Sequence, residues 1–381
     1  MSTAAVALAA VLTACSEAAA PRLSSSEKLI IDFVSSESTS LVLVDVGGRR
    51  VIARSNELPH YRGSVAIARD TSALYFTAFA DDATPLLLAV NTRSLTVTQR
   101  ATLSEMAARG SIDNLELKAR GLTFTPDGQR LVFADASRLD TAGLALVDVA
   151  STRPVAFVGP FSASLLATVP QSASYPQGAV LAAATRTPGA LPTTGILFLL
   201  DGASLDVVDS IPLVQASGDI PGYVDQLLVS PNGERVYVTG PAYVYAYDLV
   251  ERVLVGSVQR PSRGTLAIAP DGASLYMTDP GDGRDVPGSG LVFVFGPELQ
   301  PKATIDLRPY ASVEEDPPRT VDAVVSSDGA HVYITSGSNL VGPLYPGQPG
   351  RVLVLDVAND SISATIPLHD SGPGKIFVGG P

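Results

Sequence analysis

From about residue 28 onward the chain alternates short apolar runs with polar turns rich in Gly, Pro, Asp and Asn. Inside the runs apolar positions recur with the period of strands, and the runs are too short for helices. Four runs carry Tyr-x-Thr: Tyr75–Thr77, Tyr237–Thr239, Tyr276–Thr278 and Tyr333–Thr335. A tight-turn sequence precedes the last three, namely Ser230-Pro-Asn-Gly233, Ala269-Pro-Asp-Gly272 and Ser326-Ser-Asp-Gly329. Thr125-Pro-Asp-Gly128, followed by Leu131–Ala134, is a further copy of that turn. Asn-Gly or Asp-Gly between alternating runs is the strongest short-range hairpin signal. A third run then ends in an acid, at Asp45, Asp148, Asp201, Asp248 and Asp356, with Asn91 and Gly296 in the same place in two other copies. A fourth run closes the unit, seen in Val207–Leu213 and Ser361–Leu368, both ending Ile-Pro-Leu.

The unit is therefore four short strands, repeating at about 50 residues. Such a unit cannot bury both faces of its sheet alone, so copies must stack, and four-stranded units stacked radially are propeller blades. The second strands count to seven: Leu29–Val34, Leu74–Ala78, Leu131–Ala134, Val180–Thr185, Val236–Thr239, Leu275–Thr278 and Val332–Thr335. The expected fold is all-β, a seven-bladed β-propeller with four-stranded antiparallel blades over residues 28–381. The fourth blade is the least regular, because its first turn (Gln171–Ala179) has no Asp-Gly. Blade one starts at its second strand, and the chain finishes with a spare strand, Gly374–Gly379. Pairing that strand into blade one would close the ring and remove exposed sheet edges.

Pro231-Asn-Gly-Glu-Arg-Val-Tyr-Val-Thr239, with the acid-ended strand at Asp248, resembles the YVTN repeat of bacterial and archaeal seven-bladed propellers. The pattern is sharp in blades five to seven and blurred in blades one and four, and the absence of Trp separates it from WD40 repeats. The resemblance implies the fold strongly and the activity hardly at all. The family includes surface proteins, lactonases, cofactor-bearing dehydrogenase subunits and lipoproteins.

Residues 1–14 hold an apolar run, Ala4–Ala14, too short to cross a bilayer and of the length of a secretory leader. Leu12-Thr13-Ala14-Cys15 resembles the lipobox of bacterial lipoproteins, which implies cleavage before Cys15 and a lipid on its sulfur. Cys15 is the only cysteine in the chain, although Met1–Ala14 lacks the Lys or Arg usual in a leader. Residues 15–27 are small, polar and Pro-bearing, as suits a flexible tether. Ser16 after the cysteine is compatible with the outer membrane, so the expected location is the bacterial cell envelope, lipid-anchored, on the outer membrane in preference to the inner.

Composition narrows the chemistry. At 46% apolar residues the chain can fill a large core, so disorder is excluded. One cysteine excludes a disulfide scaffold, a cysteine zinc site and an iron–sulfur cluster. A net charge of −12 argues against nucleic acid as partner. No nucleophile elbow, zinc-protease, phosphate-loop or dinucleotide motif is present.

Propeller topology places the tight Asp-Gly turns and the acid-ended turns on one face, the bottom. The long connections 104–120, 214–225, 279–290, 308–321 and 336–350 fall on the top face, where binding residues are expected. Basic residues recur just before inner strands there: Arg62, Arg120, Arg263 and Lys375, with His60 and His369 in flanking loops. A positive channel mouth could hold a carboxylate or phosphate. The alternative for these side chains is pairing with neighbours such as Asp225 and Asp322. Asp279, Asp282 and Asp285 share a Gly-rich loop and are the candidate ligands for a Ca²⁺ ion, but their spacing fits no standard calcium motif, so the leading expectation is no metal and no other cofactor. The leading expectation is a monomeric, lipid-anchored binding or scaffold module for an envelope protein or glycan. The alternative is a lactonase-like hydrolase acting on an anionic sugar lactone, with those arginines binding the anion and His60 or His369 as general base.

Overall fold

The computed structural model describes residues 27–34, 39–59, 61–79, 85–102, 121–134, 143–151, 154–158, 163, 165–184, 195–213, 224–281, 288–311, 318–337 and 349–379. They form seven four-stranded antiparallel sheets arranged as a propeller ring, with a single 3-10 turn (Arg308–Tyr310) among them. The inner strands of blades two to seven are Tyr61–Ile67, Gly121–Phe124, Leu165–Val169, Gln226–Val229, Leu266–Ile268 and Thr320–Val325. In blade one the inner strand is Pro373–Gly379, which pairs with Lys28–Val34 and so joins the two ends of the chain. The expected closure is thus the observed one.

Successive residues of a strand point to opposite faces of its sheet. Here both faces are buried, each against a different neighbour. Leu29 and Ile31 pack with Tyr333, Val352 and Ile366 of blade seven, whereas Ile30 between them packs with Leu74 and Leu88 of blade two. Every seam between neighbouring blades has its own apolar cluster, seven in all. This explains why the central strands read as nearly continuous apolar runs, such as Ala179–Ala184, in which every residue is buried.

Both bottom turns recur with the same wiring. In Ser230-Pro-Asn-Gly233 the Gly233 amide donates to the Ser230 carbonyl, the Ser230 hydroxyl donates to Asn232, and Gly233 sits at φ 74°. Blade four makes this turn with Tyr175-Pro-Gln-Gly178 and blade two with Ala68-Arg-Asp-Thr71, where Thr71 itself takes φ 57°. The Asp-Gly signal is missing in blade four because Gln177 stands in place of the acid, and in blade two because Thr71 takes the left-handed position in place of glycine. In the acid-ended turns the carboxylate receives the backbone N–H groups two and three residues on, as at Asp201, Asp248 and Asp356. The residue four places after the acid is left-handed without being glycine, as at Arg49, Leu95, Leu205, Arg252 and Asp360.

The body begins one residue earlier than the sequence suggests. Glu27, assigned to the tether, is buried. Its carboxylate accepts the Ser327 amide and the Tyr333 hydroxyl, and its carbonyl accepts the Val46 amide. Burial first, and then the bond to Glu27, hold the Tyr333 phenol well above its ordinary pKa.

Candidate functional site: the central channel

The inner strands surround the channel, and charged residues collect at its top end at two seams. At the seam between blades seven and one, Asp32 Oδ1 accepts the backbone N–H of Lys375, and Asp322 Oδ2 accepts that of Ile376 at 3.1 Å. The Thr335 hydroxyl reaches the Gly374 carbonyl at 3.1 Å. A Cβ on Gly374 would lie 2.0 Å from Asp32 Oδ1, so the close approach of strand and carboxylate depends on glycine there. Asp32 is 3% exposed, and burial lifts its pKa to about 7 against the opposing pull of the Lys375 charge. Burial likewise raises Asp322, against hydrogen bonds from Thr265 and from the Ile376 amide.

At the seam between blades five and six the buried centre is a cation. The Arg260 guanidinium bonds Asp225 Oδ2 at 2.7 Å, the Ser262 carbonyl at 2.9 Å and the Gly264 carbonyl at 2.8 Å, and also the Gly240 carbonyl. Gln226 spans the same seam, exchanging hydrogen bonds with both backbone groups of Leu266 at 3.0 and 2.9 Å. Ser262 in turn donates to Asp279, which also receives the Ser289 amide at 3.1 Å and the Gly281 amide at 3.2 Å. Burial pushes the Asp279 pKa up, but these hydrogen bonds outweigh it and leave the carboxyl below its ordinary value. Asp279 is therefore the anchor of its top loop.

Of the basic residues singled out from sequence, the side chains of Lys375, Arg263 and His369 are among those described. Lys375 is exposed but stands electrostatically between Asp32 and Asp322, so acids outnumber bases at that point. Arg263 is exposed, and the buried partner of Asp225 is Arg260, three residues earlier. His369, expected in a loop, belongs to the long outer strand of blade seven, Ser361–Ser371, where it is exposed with φ 65°. Arg62 lies in the inner strand of blade two. Cys15, His60, Arg120, Asp282 and Asp285 lie outside the described residues. Among the described residues no group of His, Cys, Asp and Glu is placed to hold a metal ion. Sequence reasoning passed over Asp32 and Arg260; a lone acid inside the apolar run Leu29–Val34 was the available signal for the first.

A cavity of about 640 Å³ occupies the lower channel, walled by blades two to five. Val65, Leu122, Leu166 and Leu227 give it apolar walls, and Arg69 stands at its bottom rim. Within it the Thr168 hydroxyl donates to the Phe124 carbonyl, so the 2.7 Å contact with Thr123 is a bond from the Thr123 hydroxyl to Thr168. Its size lies within the range of small-molecule sites.

The chain matches no protein-family model and no curated relative. It is similar to solved structures across nearly its whole length. One is a functionally unknown protein from Desulfotomaculum acetoxidans DSM 771, at 14% identity and TM-score 0.61, covering 94% of this chain and 100% of that one. Hydrazine synthase of Kuenenia stuttgartiensis has 13% identity and TM-score 0.54, with 89% and 95% covered. Dihydro-heme d1 dehydrogenase NirN in complex with DHE also has 13% identity and TM-score 0.54, with 93% and 75% covered. At such identities the likeness establishes the propeller fold alone.

Proposed function

We propose that the protein is a binding module of the bacterial cell envelope, held by a lipid on Cys15, which presents its top face outward to an envelope protein or glycan. The observation that supports this reading is where the chain enters the ring. Glu27 is tied to the bottom turns of blades seven and one through Ser327 and Val46. A tether running from Cys15 to Glu27 therefore leaves from the bottom face, and a lipid at its end turns that face toward the membrane. The top face, with the long connections of blades five to seven, then points away. The hydrolase alternative has less support, since His369 lies on an outer strand rather than among the inner strands that surround the channel.

The test uses single cysteines introduced as Arg263→Cys (top) and Asp271→Cys (bottom) in cells, labelled with a membrane-impermeant maleimide after metabolic labelling with an alkyne fatty acid. Acylation should vanish with Cys15→Ser, and the top cysteine should label faster than the bottom one until detergent makes them equal. A soluble, unacylated wild type, or equal labelling without detergent, would reject the proposal.

A further inference from the structure

The charge of −12 is unevenly spread over the bottom face. On blades one and two the exposed charged residues of the bottom turns are Arg49, Arg50, Arg69 and Arg93, against Asp70. Asp45 and Lys28 there are partly buried, and Glu27 is buried with its carboxylate already bonded. Blade four is the opposite: its described charged residues are Asp201, Asp206 and Asp209, with no cation. Blade seven exposes Asp328 and Asp360 on the same face. Blades one and two are thus the blades whose exposed bottom cations outnumber their exposed bottom acids, among the described residues.

Three of these arginines are left without an opposite charge among the described residues. Among the described residues Arg49, Arg50 and Arg69 have no ion-pair partner, in contrast to Arg252, whose guanidinium meets Asp209 at 2.6 Å. The turn that carries Arg49 is also the one that receives the entering chain, through the Val46 amide and the Glu27 carbonyl at 3.3 Å. On the outer strands of the same two blades Ile52 is 40% and Val97 42% exposed, adding apolar contact at the rim. Arginines beside apolar side chains, at the root of a tether, match an anionic lipid surface rather than a compact polyanion. They spread along a face, and their attraction adds to that of the lipid anchor.

We propose that the bottom face of blades one and two is a seat for an anionic phospholipid surface. It rests on the preceding reading for the tether and its lipid. With a chain that extends at most about 3.3–3.6 Å per residue, the tether is short enough to keep this face near the headgroups.

The test uses the full-length chain carrying Cys15→Ser, which cannot be acylated, in sedimentation with phosphatidylethanolamine vesicles with and without phosphatidylglycerol. The vesicles without phosphatidylglycerol give the baseline contributed by residues 1–14. Binding should rise with phosphatidylglycerol, fall steeply with salt, and drop at least tenfold in Arg49→Glu/Arg50→Glu/Arg69→Glu. Lys302→Glu on blade six should leave it unchanged. All of these positions are exposed, so melting temperatures should match, which separates lost binding from lost folding. No dependence on phosphatidylglycerol, its survival in the triple variant, or binding to an anionic glycan without binding to vesicles would overturn the proposal. Acylation of Cys15 in the wild type is read separately, so either idea can fail without the other.

Discussion

The seam between blades five and six and the seam between blades seven and one are both tied at the top of the channel by buried charge, but of opposite sign. At the first, Arg260 donates to three backbone carbonyls and to Asp225. At the second, Asp32 and Asp322 accept backbone N–H groups of the closing strand. A guanidinium keeps its charge at any pH a protein survives, whereas a buried carboxyl does not. The first seam is therefore permanent in character. The second, which closes the ring, depends on protons.

Removing the closing strand tests that difference most severely. Deletion of residues 372–381 strips blade one of its inner strand and takes Ile376 out of an apolar cluster shared with blade seven. It should abolish the single cooperative unfolding transition, whereas a melting curve like the wild type's would contradict closure by this strand. Arg260→Met should come next. It strands Asp225 and three carbonyls, and removing one partner of a buried pair costs about 3–5 kcal/mol; denaturant unfolding at pH 7 should show it.

Asp32 should behave otherwise. Its folded pKa of about 7 exceeds the ordinary 3.8, so its contribution to stability is full below about pH 4 and is lost as pH rises through 7. With about 1.4 kcal/mol per pKa unit, the loss is on the order of 4–5 kcal/mol. Asp32→Asn keeps an acceptor for the Lys375 amide and should flatten the fall between pH 4 and pH 7. Asp322, also raised by burial, should keep the remainder of the slope, and a slope undiminished from the wild type's would show that Asp32 is not responsible. Gly374→Ala forces Asp32 to turn away and give up that bond, costing about 1–3 kcal/mol and flattening the same slope. The smallest effect belongs to Gly233→Ala in the ordinary blade five, where the strain of φ 74° costs about 1 kcal/mol and has no pH dependence.

Much of the fold could be read from the residues, for a physical reason. Tight turns, strand alternation and acid-ended turns are all set within a few residues of chain, so their signals are local. Even there one signal is absent: Tyr175-Pro-Gln-Gly178 makes the blade-four turn with Gln in place of the acid. Closure was legible because a strand missing at one end and a spare strand at the other are both visible by counting. The channel charges were not, because their meaning depends on distant partners. Asp32 and Lys375 are 343 residues apart. In Arg260-Pro-Ser-Arg263-Gly264 the arginine beside the glycine draws the eye, yet it is exposed and Arg260 is the buried one.

The entry of the chain at Glu27 also decides how the molecule bears a mechanical load. Lys28–Val34 is not an edge: it lies between the closing strand and the third strand of blade one. A pull on the chain ahead of Glu27 would act along this strand and so shear two hydrogen-bonded ladders at once instead of peeling one open bond by bond. Tension would first have to break the grip of Ser327 and Tyr333 on Glu27, and then slide a strand clamped on both sides.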